Sequence, residues 1–419
     1  PFPEEIVGAA AEIRGAIEGV QLWLLGVDDD GAADRTLTVE SALRAAKDFD
    51  IATSARPEDV KRVFRNNCRI IGRRFRLAHV FFQYGGRTYE VATFRRNPGD
   101  VDDGVEGEPP TSDLLIKSDN VFGHAHEDAE RRDFTINALF YDHDRSEVLD
   151  WVGGMADMEA RAIRTIGAPD VRFREDPVRI LRAIKFAARL DFGIDPQVYD
   201  AMTAQRDELS RAARPRLFEE LLRLLRGGAA RRSYYLAWDS GALSVLLPEL
   251  SAYLDDSVGE PVASAAARRV FRALHEVDRL TAQRGAPPDD AVLLAALLRE
   301  PIREWCAGAR SREDWRVALE EKLAEIGERL AITRRIAETL TRLYAAEIRL
   351  RAGRTGGFMG TPLGALAKDL TVIGMVADGV DAASIAKVRD LPVSEGQREA
   401  PAPVPSREPS RPRTRVHRF

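Results

Sequence analysis

Asp48 and Asp50 sit two residues apart in the run Lys47-Asp-Phe-Asp-Ile-Ala-Thr53, which is bounded downstream by Ser54 and Pro57. On a β-strand, side chains i and i+2 project from one face, so the two carboxylates would point together while Phe49 and Ile51 pack behind them. Like charges held that close repel unless a cation lies between them or one of them takes a proton. Mg²⁺ suits such a pair: it is a hard ion that takes carboxylate oxygen and keeps the rest of its shell for water and phosphate. A bare Asp-x-Asp is also common at solvated turns and strand ends, so its chemistry depends on what accompanies it downstream.

Several elements must position these side chains. Residues 1–26 read as a helix followed by a short apolar strand, Val20 to Gly26, and then an acidic loop runs from Asp28 to Asp34. A short helix from Val39 to Ala46 leads into the aspartate strand. Residues 57–65 predict a helix, with Pro57 at its first position and Glu58 and Asp59 in the first turn, where the helix dipole favours acids. Leu77 to Phe82 and Tyr89 to Phe94 read as two strands, and Gly85-Gly86 between them is a hairpin signal. In the second of these strands Glu90 alternates with apolar Val91, which lets it reach the face that carries Asp48 and Asp50.

Residues 97–113, rich in Asp, Gly, Glu and Pro, read as a loop. From His124 to Tyr141 a charged helix gives way to an apolar segment containing Arg131, Arg132, Asp133 and Asn137. His124 and His126 lie at metal-ligand spacing, but with no cysteine or third histidine nearby the pair reads as part of a solvated loop. Asp150-Trp-Val-Gly153-Gly154 is a turn with a strand before it. Arg174-Glu-Asp-Pro-Val-Arg179 opens an amphipathic helix whose apolar stripe is Val178, Leu181, Ile184 and Ala188.

Beyond that helix the period is helical to about residue 350, through 217–225, 265–280, 291–298, 315–330 and 332–350, most of these separated by Gly/Pro breaks. Strands mixed with helices first, and helices alone afterwards, imply an α+β head on an all-helical body. Beyond Pro392 the chain is rich in Pro, Ser, Arg and Glu and reads as a disordered tail. Its arginines serve either phosphate affinity or solubility.

A chain of 419 residues is too long for one ordinary core. Hydrophobic content of 44% with 31% charged residues describes a soluble globular class, and a net charge of −5 confines any nucleic-acid surface to a local patch. Two cysteines, Cys68 and Cys306, exclude a disulfide framework and a cysteine-rich zinc site. With no bilayer-length apolar run and no signal-peptide pattern, the expected place is the cytoplasm, away from membranes.

Five motifs recur in a fixed order: Lys47 to Thr53, Glu90-Val-Ala-Thr-Phe-Arg95, Arg131-Arg-Asp-Phe-Thr-Ile-Asn-Ala-Leu139, Asp150 to Gly154, and Arg174 to Arg179. In this series the chain resembles the class II tRNA nucleotidyltransferase/poly(A) polymerase family of bacteria, within the polymerase β superfamily. The likeness runs from about residue 46 to about 250. The linker Lys117-Ser-Asp-Asn-Val-Phe-Gly123 and the long loop before it resemble the poly(A) polymerase branch.

The resemblance implies an α+β fold in which a polymerase β-like nucleotidyltransferase head of mixed sheet and helices spans 1–155. A helical neck over 156–250 would read the nucleotide base, a helical body over 251–390 would bind RNA, and a disordered Arg/Pro-rich tail would occupy 391–419. It implies template-independent addition of AMP from ATP to RNA 3′ ends, with Mg²⁺ held by Asp48 and Asp50 and with Glu90 as the third carboxylate. Arg131, Arg132, Asp133 and Asn137 match the motif that engages ribose and phosphates; arginine's planar fork suits phosphate. Glu175, Asp176 and Arg179 match the motif that reads the base edge, where a carboxylate accepts from an exocyclic amine and a guanidinium donates. The implied partners are ATP, RNA 3′ ends and the RNA-degradation machinery. Outside the family context, the Arg131 group would read as a helix-surface ion-pair cluster and Glu175-Asp176-Pro177 as an acidic helix start. Gly153-Gly154 matches the family's head-to-neck hinge and equally a plain turn.

The chain departs from the family just before the aspartate strand. The family's glycine loop, whose amides cradle the triphosphate, is replaced by Leu25-Gly-Val-Asp-Asp-Asp-Gly-Ala-Ala-Asp-Arg35. Three consecutive aspartates would repel a triphosphate. Two alternatives therefore stand beside poly(A) synthesis: a CCA-adding tRNA nucleotidyltransferase, and a catalytically inactive RNA-binding homologue.

Overall fold

The computed structural model describes residues 22–26, 49–72, 76–81, 88–96, 121–142, 145, 147–255 and 265–393. The expected first helix, the acidic loop 28–34, the helix 39–46, Asp48, the loop 97–113 and the tail beyond 393 lie outside the described residues.

Seven strands form the head's sheet in the order β3-β4-β5-β2-β1-β6-β7. They are β1 (Leu22–Gly26), β2 (Phe49–Thr53), β3 (Cys68–Ile71), β4 (Leu77–Phe81), β5 (Thr88–Thr93), β6 (Phe140–Asp142) and β7 (Glu147–Leu149). β2 and β5 pair in parallel at the middle, and every other pairing is antiparallel. Ile51, Ala52 and Thr53 are buried, as residues of a central strand covered on both faces must be. Helix α1 (Pro57–Phe64) buries Val60, and Ala52, Phe94 and Phe140 pack with Ala125 and Ala129 of α2 (Ala125–Glu130). The strand β3 has no counterpart in the sequence reading. It is a short edge strand in which Arg69 interrupts the apolar run.

From residue 154 the chain is almost wholly helical. α3 (Gly154–Glu159), α4 (Pro169–Glu175), α5 (Arg179–Leu190), α6 (Pro196–Gln205), α7 (Arg214–Arg226), α8 (Ala230–Asp239), α9 (Ala242–Leu246) and α10 (Pro248–Asp255) come first. α11 (Ala265–Arg284), α12 (Asp290–Trp305), α13 (Arg312–Leu330), α14 (Arg334–Arg351), α15 (Pro362–Asp378) and α16 (Ala382–Arg389) follow. A two-stranded parallel ribbon, β8 (Ala162–Ile163) with β9 (Gly193–Ile194), ties the first part together. One hydrophobic core runs from Phe134 through Leu181, Leu225 and Leu297 to Ala377, so these helices share a single interior.

One expectation needs correction. The run from Arg174 does not open one helix. Glu175 ends α4, Asp176 is extended, and α5 begins at Arg179, because Pro177 lacks the N–H that a continuing helix would need. The predicted stripe of Val178, Leu181, Ile184 and Ala188 is buried, joined by Ile180, Ala183 and Ala187. Between α13 and α14 no Gly or Pro marks the break. Ala331 ends the helix in the left-handed region at φ 57°, and the Thr333 hydroxyl starts the next by accepting from Ile336 N–H. Among the described residues no helix is long and apolar enough to cross a membrane.

Candidate active site

The sheet sets the carboxylates. Asp50 is the register partner of Glu90 across the parallel β2–β5 pair, and Glu90 is in turn the partner of His79 across β4–β5. Neighbouring strands lie about 4.8 Å apart, so the backbones of residues matched in register are adjacent. Glu90 is 46% exposed, and its Oε1 lies 3.1 Å from His79 Nε2. The histidine restrains one oxygen of a half-exposed carboxylate. Three carboxylates of this kind are the donor set a hard divalent ion takes. Among the described side chains no group of three His, Cys, Asp or Glu is placed to hold a metal; the Asp48 and Asp50 side chains lie outside that description.

The second half of the site starts where the chain returns to the sheet. Phe94 O and Arg96 N bond Gly123 N and Val121 O, which places α2 beside the end of β5. His124 and His126 stack with parallel rings 6.0 Å apart. They open α2 instead of lying in a loop, and Glu127 accepts from His124 N–H at 2.6 Å. Asp128, buried on α2, accepts from Arg95 N–H, from Arg131 Nε at 2.9 Å and from two nitrogens of Arg132. Burial pushes its carboxyl up, but the charges and bonds of Arg132 and Arg131 outweigh that and hold it below the usual value. Arg132 also donates to Asn137 O and lies over the Phe140 ring at 5.2 Å. The two arginines are therefore oriented by a carboxylate absent from the sequence reading.

Asp133 is buried and fully engaged. Its Oδ1 accepts from Phe134 N–H and from Asn137 Nδ2 at 3.0 Å, and its Oδ2 pairs with Arg182 Nε of α5. Burial raises its carboxyl, yet the Arg182 charge, the bonds from Arg182 and Asn137, and more distant Arg179 bring it down to about 2. Asn137 thus orients Asp133 at its own end of a single turn, Thr135–Asn137, which Thr135 pins by donating to Asp157 at 2.7 Å.

Glu175, Asp176 and Arg179 gather at the α4–α5 break. Glu175 Oε2 takes Arg172 Nη1 at 2.9 Å and Arg179 Nη1 at 2.8 Å. Arg172 then reaches back with Nη2 to the carbonyls of Arg131 and Arg132, joining the two motifs through one buried guanidinium. Its Nε is buried without a hydrogen-bond partner. Arg216 of α7 grips both oxygens of Asp176, at 2.8 and 2.6 Å, the bidentate geometry arginine favours.

The Gly153-Gly154 turn is built around Asp150, whose carboxylate accepts from the N–H groups of Val152, Gly153, Gly154 and Met155 at 2.8 to 3.1 Å. Gly153 has φ 83°, where a side chain is disfavoured, and a Cβ on Gly154 would collide with the Thr135 carbonyl. Gly153 is required by the turn's backbone and Gly154 by the close approach of the Thr135 segment.

The structure thus brings Arg131, Arg132, Asp133, Asn137, Glu175, Asp176 and Arg179 into one ionic cluster and sets Asp50 against Glu90 in the sheet. The sequence reading missed Asp128, Arg172, Arg182 and Arg216. Arg172 and Arg182 lie three residues before Glu175 and three after Arg179, which helical spacing signals. Arg216 is forty residues from Asp176 and has no local signal.

The family model described as "Poly A polymerase head domain" matches residues 34–164, and "Probable RNA and SrmB- binding site of polymerase A" matches 191–254. Poly(A) polymerase I of Escherichia coli is 37% identical over 81% of this chain and 70% of its own length. The Haemophilus influenzae protein of that name is 36% identical over 74% of this chain and 68% of its own. Among solved structures, the Thermotoga maritima CCA-adding enzyme complexed with tRNA has TM-score 0.56 at 18% identity, over 93% of this chain and 84% of that one. At that identity the likeness speaks for the fold.

Proposed function

This chain belongs to the bacterial poly(A) polymerase family, and from that premise we propose that it is a template-independent RNA nucleotidyltransferase that adds AMP from ATP to RNA 3′ ends. The observation that carries the reading is the 37% identity to a poly(A) polymerase I across 81% of the chain. In our reading residues 1–155 are the catalytic head, 156–250 the neck and 251–390 an RNA-binding body, with 391–419 a basic tail. The protein works in the cytoplasm beside the RNA-degradation machinery that consumes tailed transcripts.

The reaction is an in-line attack of the RNA 3′-hydroxyl oxygen on the α-phosphorus of ATP. The new P–O bond forms as the bond to the β-phosphate breaks, pyrophosphate leaves, and the hydroxyl proton passes to solvent. Asp48, Asp50 and Glu90 would hold Mg²⁺. Metal ions there would acidify the hydroxyl and offset charge on the leaving oxygens. Arg131 and Arg132, held in plane by Asp128, present guanidinium edges to the triphosphate and ribose. Asp133 and Asn137 brace each other and fix the turn behind those arginines. Glu175, Asp176 and Arg179 face the base, where their donors and acceptors are already set by Arg172 and Arg216 before a nucleotide arrives. Such preorganisation lowers the ordering cost of binding.

Extension of a labelled oligo(A) primer, and of a tRNA ending before its CCA, tests this with Mg²⁺ and either ATP or CTP alone. Long ATP-dependent tails are expected, and Asp50→Ala should abolish them while leaving the thermal transition in place. Incorporation of CTP on the tRNA would move the protein to the CCA-adding branch, to which a Bacillus subtilis relative belongs at 36% identity over 45% of this chain. No extension by folded protein would mean an inactive RNA-binding homologue.

A further inference from the structure

Four polar residues stand at one level of the head's sheet. Arg69 on β3 is the register partner of His79 on β4, His79 is the partner of Glu90 on β5, and Glu90 is the partner of Asp50 on β2. The row crosses four neighbouring strands and ends at two members of the carboxylate set. Ala78, Val80 and Val91, which alternate with His79 and Glu90 along their strands, are buried on the opposite face. His79 lies between Leu77 and Phe81 on its own face, both partly buried, and its side chain is 19% exposed. Arg69 places its guanidinium over the Phe81 ring at 5.7 Å, and among the described residues His79 is the one group paired with Glu90.

The contact has a fixed sense. An ionised carboxylate oxygen only accepts, so the Nε2 that lies 3.1 Å from Glu90 Oε1 carries its hydrogen, in the neutral ring and the charged ring alike. Glutamate has one more rotatable bond than aspartate, and a half-exposed glutamate ranges over several rotamers unless its end is held. An imidazole flanked by two apolar side chains is a short, planar arm that holds that end. Metal-binding carboxylates are commonly oriented by an outer hydrogen bond of this kind.

We propose that His79 is a positioning residue: it fixes Glu90 in the orientation in which that carboxylate takes Mg²⁺, and so sets the metal affinity of the third ligand. The inference rests on the reading of Glu90 as a metal ligand given above. His79 acts through Glu90 alone. The rival is a cross-strand pair that only steadies the sheet, which would cost stability when broken and leave the metal response unchanged.

The test titrates the full chain with Mn²⁺, an ion that takes the same oxygen ligands, and counts the free ion by electron paramagnetic resonance. Glu90→Gln defines the site as the one it removes. His79→Leu, apolar like its neighbours Leu77 and Phe81, should keep the thermal transition but weaken Mn²⁺ at that site roughly ten- to a hundredfold, the usual cost of losing an outer partner. His79→Gln, whose amide can donate to the same oxygen, should recover most of the loss. In primer extension the Mg²⁺ concentration for half-maximal rate should rise by the same factor in His79→Leu, and excess Mg²⁺ should restore the rate. Wild-type Mn²⁺ affinity in folded His79→Leu, or a rate lowered equally at every Mg²⁺ concentration, would overturn the proposal and leave Glu90's own role standing. Glu90→Gln protein that binds Mn²⁺ as the wild type does would remove Glu90 from the metal set, and the role of His79 with it.

Discussion

Two buried ionic clusters can be compared directly. One joins Asp128, Arg131, Arg172, Glu175, Arg179, Asp133 and Arg182 where the head meets the neck. The other lies in the body, where Arg299 of α12 binds Glu347 of α14 at 3.1 Å and Asp378 of α15 at 2.7 Å, and Arg351 binds the same two carboxylates at 2.9 Å. Both use arginine forks on carboxylates inside a low-dielectric interior. They differ in what is left open. Glu300 in the body is 3% exposed and takes Arg269 and Arg299 on its two oxygens, whereas Glu175 is 23% exposed and takes both of its arginines on one oxygen. The body cluster closes on itself, and Gly374 makes room for it, since a Cβ there would lie 2.5 Å from Glu347 Oε1. The junction cluster keeps one carboxylate oxygen of Glu175 outside its ion pairs. Burial of charge alone does not distinguish a site from a lock; residual acceptor and donor capacity at the surface does.

The largest effect should come from breaking the lock. Arg299→Ala leaves Glu347 and Glu300 short of a partner in the interior, which typically costs about 3–5 kcal/mol. Urea unfolding should show that loss, while the tailing rate per folded molecule stays near wild type. A variant with unchanged stability and abolished tailing would erase the distinction between the clusters.

A smaller effect separates them by pH. Asp133 stands at about 2 against an ordinary value of 3.8, because Arg182 and Asn137 favour its charged form over the penalty of burial. A depressed carboxyl stabilises the fold fully above its unfolded value, and that contribution is lost as pH falls from about 3.8 through about 2. The shift corresponds to about 2 kcal/mol. Asp133→Asn should therefore lower stability at neutral pH and flatten its acid limb between those values, as followed by denaturant midpoints. An acid limb as steep as wild type would show that Arg182 does not hold Asp133 as described.

How much of this was legible beforehand follows from the range of each interaction. The strands Leu77–Phe81 and Thr88–Thr93 were readable because alternation and Gly85-Gly86 are local signals. That Glu90 could reach the face of Asp50 was readable from its alternation with Val91; the parallel pairing of the two strands and its register come from the structure. α15 went unread because it is buried nearly all round and so has no polar face to give a period, and Pro362, Gly364 and Gly374 resemble breaks. α4 and α5 were merged because the helical pattern continues across Pro177 although the backbone cannot. The motif residues of the junction were visible as types. Asp128 lies at helical spacing from Arg131 and Arg132 and could have been read with them, whereas the pairs Arg182–Asp133 and Arg216–Asp176 span 49 and 40 residues and no spacing rule encodes them.

The smallest effect on stability is also the sharpest probe of the open edge. Arg216 is 40% exposed and its pair with Asp176 is partly solvated, so Arg216→Ala should cost no more than about 1 kcal/mol of stability. Its consequence for the nucleotide should be larger. Asp176 Oδ1 accepts from Val178 N–H as well as from Arg216, while Oδ2 keeps a lone pair after accepting from Arg216, so the grip fixes the plane of the carboxylate without exhausting it. Released, that carboxylate rotates, and an acceptor aimed at a base amine becomes one averaged over several directions. The KM for ATP should rise roughly ten- to a hundredfold, the range of a hydrogen bond to a charged group, and the preference for ATP over CTP should fall. Arg216→Lys should recover little, because an ammonium cannot hold both oxygens in plane. Steady-state extension with each nucleotide measures both quantities. If Arg216→Ala left them unchanged, Asp176 would take no part in reading the base, and its ion pair would belong with the closed cluster of the body.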